Sequence, residues 1–230
     1  ITKFKLISTN PSIGTIDSTG TFTGKKNGTT SIVATLSGYS DTSVVRVESA
    51  SGLVSLDLFE SLSGWRVEGT NLDSLSVTLA TDQKSAGNAS FRIDYKLTYD
   101  PLIPSYMVYL YKDMPVYSIP DSIYLDVKSD GRRHKLSYSF SDANSGTFRA
   151  LAKKFLNNSV AFDLVNTPMT GLTLLTGTYD MSYPLTLKRI EIQLAGDPVQ
   201  GQSTSGTIYV DNLRLKYPGT ATDAERPPLL

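Results

Sequence analysis

The chain has 230 residues, with 22 basic and 22 acidic side chains, one histidine and no cysteine. The length allows one large β unit, or one with a smaller neighbour, and the balanced charge does not indicate nucleic acid or an anionic membrane as a partner. The lack of cysteine excludes a disulfide framework and cysteine-based catalysis, and the sequence has no run of about 18 apolar residues that would predict a membrane span. Thr, Ser, Val, Ile and Tyr dominate between frequent turn residues, so the composition predicts an all-β protein.

Residues 1–49 have the pattern of short strands separated by tight turns. The segments Asn10–Gly24 and Asn27–Thr35 resemble the bacterial Ig-like domain of group two, which runs Asn-Pro-Ser, Val-Asp-Ser-x-Gly and then Gly-Thr-x-x-Ile-x-Ala. The first two strands of that family have no counterpart here. The resemblance therefore implies the back half of such a domain, with a role in spacing and adhesion. The residues alone also fit hairpins that form an edge of the sandwich that follows.

The second region begins after the small, flexible stretch Ser49–Gly52, and its predicted strands are longer. Thr147–Leu156 is the best helical candidate, but it alternates well enough to be a strand. We expect a partial Ig-like domain at 1–49, a two-sheet jelly roll at 50–218 and a polar, proline-rich linker or tail at 219–230. The predicted strands of the jelly roll are Leu53–Phe59, Trp65–Glu68, Ser74–Ala80, Ala89–Leu97, Tyr106–Lys112, Ser122–Lys128, His134–Phe140, Thr147–Ala152, Val160–Leu164, Leu185–Leu194 and Gly206–Lys216.

Four pieces of this region, taken in order, resemble the galactose-binding-like jelly-roll superfamily of carbohydrate-binding modules. They are Phe59-Glu60 with Trp65, then Ser85–Ile93, then Ile123–Gly131 leading to Leu136–Asp142, and finally Gly206–Leu213. The resemblance implies a β-sandwich whose first and last strands lie close together. It also implies an extracellular or cell-surface protein that binds a polysaccharide or oligosaccharide, beside other domains of a longer polypeptide.

The same resemblance implies a structural calcium ion between the terminal strands. Ca²⁺ takes six to eight oxygen ligands, from carboxylates and from backbone carbonyls. Glu60 and Asp211 would supply the charge, and the turn that contains Asn88 would supply carbonyl groups. Leu58 stands where many relatives carry a second acid, and alternation places Asp57 on the face opposite Glu60. The alternative is that Glu60 ends a strand in solvent and Asp211 binds a backbone amide.

Aromatic rings with apolar faces are the groups on which sugars stack. Tyr109 and Tyr111 are predicted to share a face of one strand, with Tyr138 on another strand. Hydrogen bonds to sugar hydroxyls are expected from Arg132, His134 and Asp126. The alternative for each tyrosine is a place in the core, and the lone Trp65 is expected to pack beneath the first strand.

Catalysis has little support in the residues. A serine triad would depend on one histidine without a Gly-x-Ser-x-Gly elbow, and no spacing singles out a pair of carboxylates. We therefore expect a non-catalytic binding module. A structural or adhesive spacer is the first alternative. A lyase that uses a cluster of Arg132, Arg133 and Arg149 is the second.

Overall fold

The computed structural model describes residues 4–25, 28–47, 52–116, 120–178, 181 and 184–217, and within these ranges it contains strands and turns but no helix. The chain divides into two compact units, and the described residues 4–47 belong to the first and 52–217 to the second. Residues 49–51 of the predicted linker Ser49–Gly52 and the predicted tail at 219–230 lie outside the described residues, and Gly52 begins a strand. No helix in the described part is long and apolar enough to cross a membrane.

The first unit consists of a three-stranded antiparallel sheet, in the order β1-β4-β5, and the separate hairpin β2-β3. The resemblance to the Ig-like family stays a prediction for this unit. Its strands are β1 (Lys5–Ser8), β2 (Gly14–Ile16), β3 (Phe22–Gly24), β4 (Gly28–Leu36) and β5 (Tyr39–Val47).

The second unit is a β-sandwich of twelve strands in its described residues. The strands are β6 (Gly52–Asp57), β7 (Arg66–Thr70), β8 (Ser74–Ala80), β9 (Ser90–Thr98), β10 (Tyr106–Val116), β11 (Ser122–Lys128), β12 (Lys135–Ser141), β13 (Thr147–Leu151), β14 (Asp163–Pro168), β15 (Thr173–Thr176), β16 (Leu185–Leu194) and β17 (Ser203–Tyr217). Sheet I has the order β15-β13-β12-β16-β10-β7. Sheet II has the order β14-β11-β17-β9-β8, with β6 also paired to β17.

The core is formed by the alternate side chains that the two sheets turn toward each other. Sheet I contributes Val108 and Leu110 from β10, and sheet II contributes Ile93 from β9; none of these is exposed to solvent. Strand β9 turns polar side chains such as Arg92 and Asp94 to its other face, and β10 turns Tyr109 and Tyr111 to its other face. The expectation of an all-β jelly-roll sandwich is therefore confirmed.

Two details of the strand prediction were wrong. The predicted strand Val160–Leu164 is displaced, because β14 begins at Asp163 and ends at Pro168. Strand β15 was not predicted, since its four residues lie in an irregular stretch and pair only with the edge of β13. The helical candidate is also settled, because β13 covers Thr147–Leu151 and pairs with β12.

Both β6 and β9 pair with the same edge of β17, one after the other along the strand. Leu213 is opposite Asp57 of β6, and Val210 is opposite Phe91 of β9. Asp211 and Asn212 therefore face the gap between the end of β6 and the start of β9 along β17, which we call the β6–β17 gap. The turn at 81–89 and the segment after Asp57 meet at this gap, which brings the first and last strands of the unit together.

Candidate functional site: the tyrosine face and the β6–β17 gap

The outward face of sheet I carries a continuous band of aromatic and polar side chains, which we call the tyrosine face. Strand pairing sets them in two rows across the sheet, because residues paired across antiparallel strands lie side by side on one face. One row contains Glu68, Tyr109, Glu191, Ser137 and Leu151. The other contains Arg66, Tyr111, Arg189, Ser139 and Arg149. Each row crosses five strands, a span of about 19 Å at the usual strand spacing.

The two tyrosines at the centre of this face are half-buried neighbours. Their ring centroids are 6.0 Å apart, with 41° between the ring planes. The Cζ atom of Arg66 lies 3.9 Å from the centroid of the Tyr111 ring, and the Cζ atom of Arg189 lies 5.0 Å from that of Tyr109. The prediction that Tyr109 and Tyr111 share one outward face of β10 is therefore confirmed. Their role toward a ligand stays a prediction.

Glu191 anchors the centre of the face from below, with its side chain only 1% exposed. It accepts hydrogen bonds from Arg189 Nε at 2.7 Å and from Ser137 Oγ at 2.9 Å, and Arg149 Nε lies 3.2 Å away. Burial by itself would raise the pKa of Glu191, but the hydrogen bonds and the two guanidinium groups outweigh burial and lower it. The carboxylate therefore stays ionised and holds both arginines in place.

A groove of about 550 Å³ opens at the Tyr111 end of this face. Its walls include Arg66, Tyr111, Lys112, Lys188, Arg189 and Asp113. The register of β10 against β16 shifts between Tyr111 and Met114, and this irregularity lies beside the groove. Ring surface, cationic groups and hydroxyls thus meet in one concave region, which is the composition expected of a site for a polar ligand.

Four of the predicted ligand residues, Tyr138, His134, Asp126 and Arg132, lie away from this face, and the first three of them are buried. Tyr138 is 0% exposed and packs in the core, because β12 turns Ser137 and Ser139 outward and Tyr138 inward. His134 is also 0% exposed, and Asp126 is buried at the β6–β17 gap. The expectation that these three side chains contact a glycan was therefore wrong.

Arg132 and His134 belong to a structural cluster around Asp130. Ala195 N donates to His134 Nδ1 at 2.9 Å, so the ring proton lies on Nε2 and is donated to Asp130 Oδ1 at 2.9 Å. Tyr95 and Arg132 donate to the other oxygen of Asp130, at 2.6 and 2.8 Å. Burial opposes ionisation of Asp130, but the bonds from His134 and Tyr95 prevail and hold its pKa well below the usual range. This cluster ties β9 to the turn before β12.

The predicted calcium residues Glu60, Asn88 and Asp211 do meet, at the β6–β17 gap. Asp211 Oδ2 accepts Ser85 N at 2.6 Å and Ala86 N at 2.9 Å. Glu60 Oε1 accepts Asn88 N at 2.6 Å. Both carboxylates thus close onto the same turn. A Cβ at position 87, where φ is +59°, would collide with Glu60 Oε1 and displace that carboxylate.

The fit of this gap to a cation depends on one oxygen atom. Asp211 is 0% exposed, and its Oδ1 has no hydrogen-bond partner among the described residues. A buried carboxylate oxygen without a partner is costly, and a cation would satisfy it. The described residues contain no group of three acidic or histidine side chains that could hold a metal, so backbone carbonyls would have to complete the ligand set. The carbonyl of Asn88 already accepts Lys84 Nζ at 3.3 Å, and Asp57 is paired with Lys112.

The described residues of the second unit have a jelly-roll fold, and solved carbohydrate-binding modules are similar to the chain. The chain is similar to the family 11 carbohydrate-binding module of the cellulosomal cellulase Lic26A-Cel5E of Clostridium thermocellum, with a TM-score of 0.52, 16% identity, and 75% of this chain and 99% of that chain covered. A second structure, the Clostridium thermocellum family 11 module in complex with a β-1,3-1,4-mixed-linked tetrasaccharide, has a TM-score of 0.53, 17% identity and coverages of 75% and 100%. No protein-family model and no curated protein matches the chain. At this level of identity the similarity shows the fold.

Proposed function

We propose that this chain is a non-catalytic module that binds a polysaccharide along the tyrosine face. The observation that carries the proposal is the alignment of Tyr109 and Tyr111 with polar side chains in two rows across five strands of sheet I. A polysaccharide is an extended ligand with apolar ring faces and hydroxyl edges. A band of exposed ring surface and hydrogen-bonding groups matches both features.

Solved structures of similar fold support the proposal. A family 11 module of similar fold was solved with a β-1,3-1,4-mixed-linked tetrasaccharide, and a family 11 module of similar fold belongs to a cellulosomal cellulase. We propose that this chain likewise acts outside the cell or at its surface, next to other domains of a longer polypeptide. Residues 1–49 would then serve as a spacer, the role that the Ig-like resemblance implies.

The proposal includes a structural Ca²⁺ ion at the β6–β17 gap, remote from the tyrosine face. Glu60 and Asp211 would hold it, with carbonyl groups of the turn that contains Asn88. The unpartnered Oδ1 of Asp211 supports this assignment. The ion would neutralise two carboxylates that close onto one turn, and it would fasten the first strand to the last.

Affinity electrophoresis tests the binding function directly. The full chain is run through gels that contain cellulose, xylan, mannan, β-glucans or pectins, and a polysaccharide that retards it is then titrated by calorimetry. We expect Tyr109→Ala to weaken binding about fivefold, since an aromatic contact contributes on the order of 1 kcal/mol. The matched control is Tyr124→Ala, because Tyr124 is a half-buried tyrosine on the outward face of sheet II.

The outcomes separate binding from a purely structural role. Retardation that falls with Tyr109→Ala but not with Tyr124→Ala supports the tyrosine face. A chain that no polysaccharide retards acts as a spacer or adhesive unit instead. Equal losses in the two variants would place binding on another surface.

The calcium assignment is tested by thermal melting in EDTA and in Ca²⁺. At a Ca²⁺ concentration about 100 times the dissociation constant, the ion adds about 2.7 kcal/mol, or roughly 5–10 °C for a unit of this size. Asp211→Asn is expected to abolish the difference between the two conditions. Identical melting of the unmodified chain in EDTA and in Ca²⁺ would refute the assignment.

A further inference from the structure

Tyr111 is flanked by guanidinium groups from both neighbouring strands. Arg66 reaches its ring from β7, with Cζ 3.9 Å from the ring centroid, and Arg189 approaches from β16 at 5.7 Å. These two strands lie on opposite sides of β10. At the mouth of the groove, a ligand therefore meets planar cations rather than a bare aromatic ring.

The acids that pair with several of these cations are buried beneath them. Glu191 is 1% exposed, whereas the side chains of its partners Arg189 and Arg149 are 29% and 40% exposed. Lys112 likewise covers a more buried partner, Asp57. The groups that a ligand can reach here are thus mainly donors, and the acceptors beneath them are already used.

Two ion pairs of this region are exposed, and they oppose the binding of an anionic ligand less than buried pairs would. Glu68 pairs with Arg66 and Asp113 pairs with Lys188, and all four side chains are substantially exposed. Exposed pairs contribute little in water and are screened by salt. An anionic group on a ligand can therefore compete for Arg66 and Lys188.

We infer that the groove beside Tyr111 binds an anionic polysaccharide, whose sugar units carry carboxylate or sulfate groups. A neutral sugar hydroxyl needs both donors and acceptors, whereas a carboxylate or sulfate needs only donors. The planar guanidinium group matches the two oxygens of such an anion with two parallel hydrogen bonds. Stacking on Tyr111 and bonding to Glu191 hold Arg66 and Arg189 in position before the ligand arrives. This inference rests on the proposed polysaccharide-binding function.

Matched pairs of polysaccharides test the inference on the full chain. Polygalacturonate is compared with highly methyl-esterified homogalacturonan, which has the same backbone with its carboxylates blocked. Dextran sulfate is compared with dextran. We expect one anionic member to bind at least tenfold more tightly than its neutral partner, with an affinity that falls as NaCl is raised. A difference between the two homogalacturonans identifies the anion as carboxylate, and a difference between dextran sulfate and dextran identifies it as sulfate.

Two arginine variants locate the effect. Arg66→Gln is expected to weaken binding of the anionic polysaccharide about tenfold or more, since it removes a charged hydrogen-bond donor. Arg92→Gln is the matched control, because Arg92 also pairs with an acid two residues further along its strand, Asp94, but lies on sheet II. It is expected to leave binding unchanged.

The possible results are distinct. Binding of neutral polysaccharides with equal affinity, insensitive to salt and to Arg66→Gln, overturns the anionic assignment but keeps the proposed function. Equal losses in Arg66→Gln and Arg92→Gln also overturn it, because the anion would then bind elsewhere or without a defined site. Failure to bind any polysaccharide, neutral or anionic, removes the proposed function itself.

Discussion

Replacement of Glu191 by glutamine tests whether this buried carboxylate organises the tyrosine face. The change removes the charge that Arg189 and Arg149 share and leaves two guanidinium groups without their common partner. Breaking a fully buried ion pair costs about 3–5 kcal/mol. Because both arginines are partly solvated, we expect roughly half of that, about 2 kcal/mol in the free energy of unfolding. This corresponds to about 4–8 °C in melting temperature.

The assay is urea denaturation followed by tryptophan fluorescence. Trp65 is the single tryptophan, and its ring stacks on Phe59 with centroids 5.2 Å apart, so its emission reports unfolding of the second unit. Glu68→Gln is the matched control on the same face. Glu68 is an exposed partner of Arg66, and its loss should change stability by at most about 0.5 kcal/mol.

The pH dependence of this difference is a second, independent readout. The pKa of Glu191 is lowered in the folded state, so its contribution is present above the ordinary value of about 4.3 and is lost as the pH falls through the folded-state pKa. The difference in free energy of unfolding between the unmodified chain and Glu191→Gln should therefore have its full size at pH 7 and become smaller in acid. Equal stability of the two proteins at pH 7, or a difference in stability that stays unchanged in strong acid, would refute this reasoning.

Two further substitutions test the packing around the site. Gly87→Ala should destabilise the chain by about 2–3 kcal/mol, because position 87 has a positive φ of 59° and the new Cβ would displace the Glu60 carboxylate. Gly201→Ala is the control, since position 201 has a φ of 76° but open space around it, and it should cost about 1 kcal/mol. Equal urea midpoints for the two variants would contradict the contact with Glu60. Tyr95→Phe removes the 2.6 Å hydrogen bond to Asp130 and should cost about 1–2 kcal/mol by the same assay, and an unchanged midpoint would show that the bond contributes nothing to stability.

Strand alternation predicted part of the tyrosine face from the sequence. It placed Tyr109 and Tyr111 on one side of β10, and in the structure Tyr106, which alternation puts on the opposite side, is buried. Alternation says which residues share a face, but it does not say which face points outward. For β12 the wrong face was chosen, although the outward side chains Ser137 and Ser139 are the polar ones.

The partners of the tyrosines could not be predicted in the same way. Arg189 and Glu191 alternate with buried isoleucines in β16, which was a local signal that they point away from the core. Their position beside Tyr111 and Tyr109 depends on pairing between strands about 80 residues apart in the chain. Local pattern does not determine such a register, and so the cationic character of the groove became visible only in the folded arrangement.

The meeting of the terminal strands was predicted more fully. The resemblance placed Glu60, Asn88 and Asp211 together, and the structure brings all three to the β6–β17 gap. Asp126 was assigned to the sugar site. In the structure it lies opposite Asp211 in the register of β11 against β17, and its carboxylate accepts a hydrogen bond from Arg214. The bulge in β17 beside this pair, where Asn212 has a positive φ of 54°, could not be located from sequence alternation.

The most direct test of the central claim is a crystal structure of the chain soaked with oligosaccharides of a polysaccharide that retards it. We predict that ligand density will lie across the outward face of sheet I, over Tyr109 and within reach of Arg66 and Arg189. Density on the outward face of sheet II, or at the loops with the tyrosine face left open, would contradict the account.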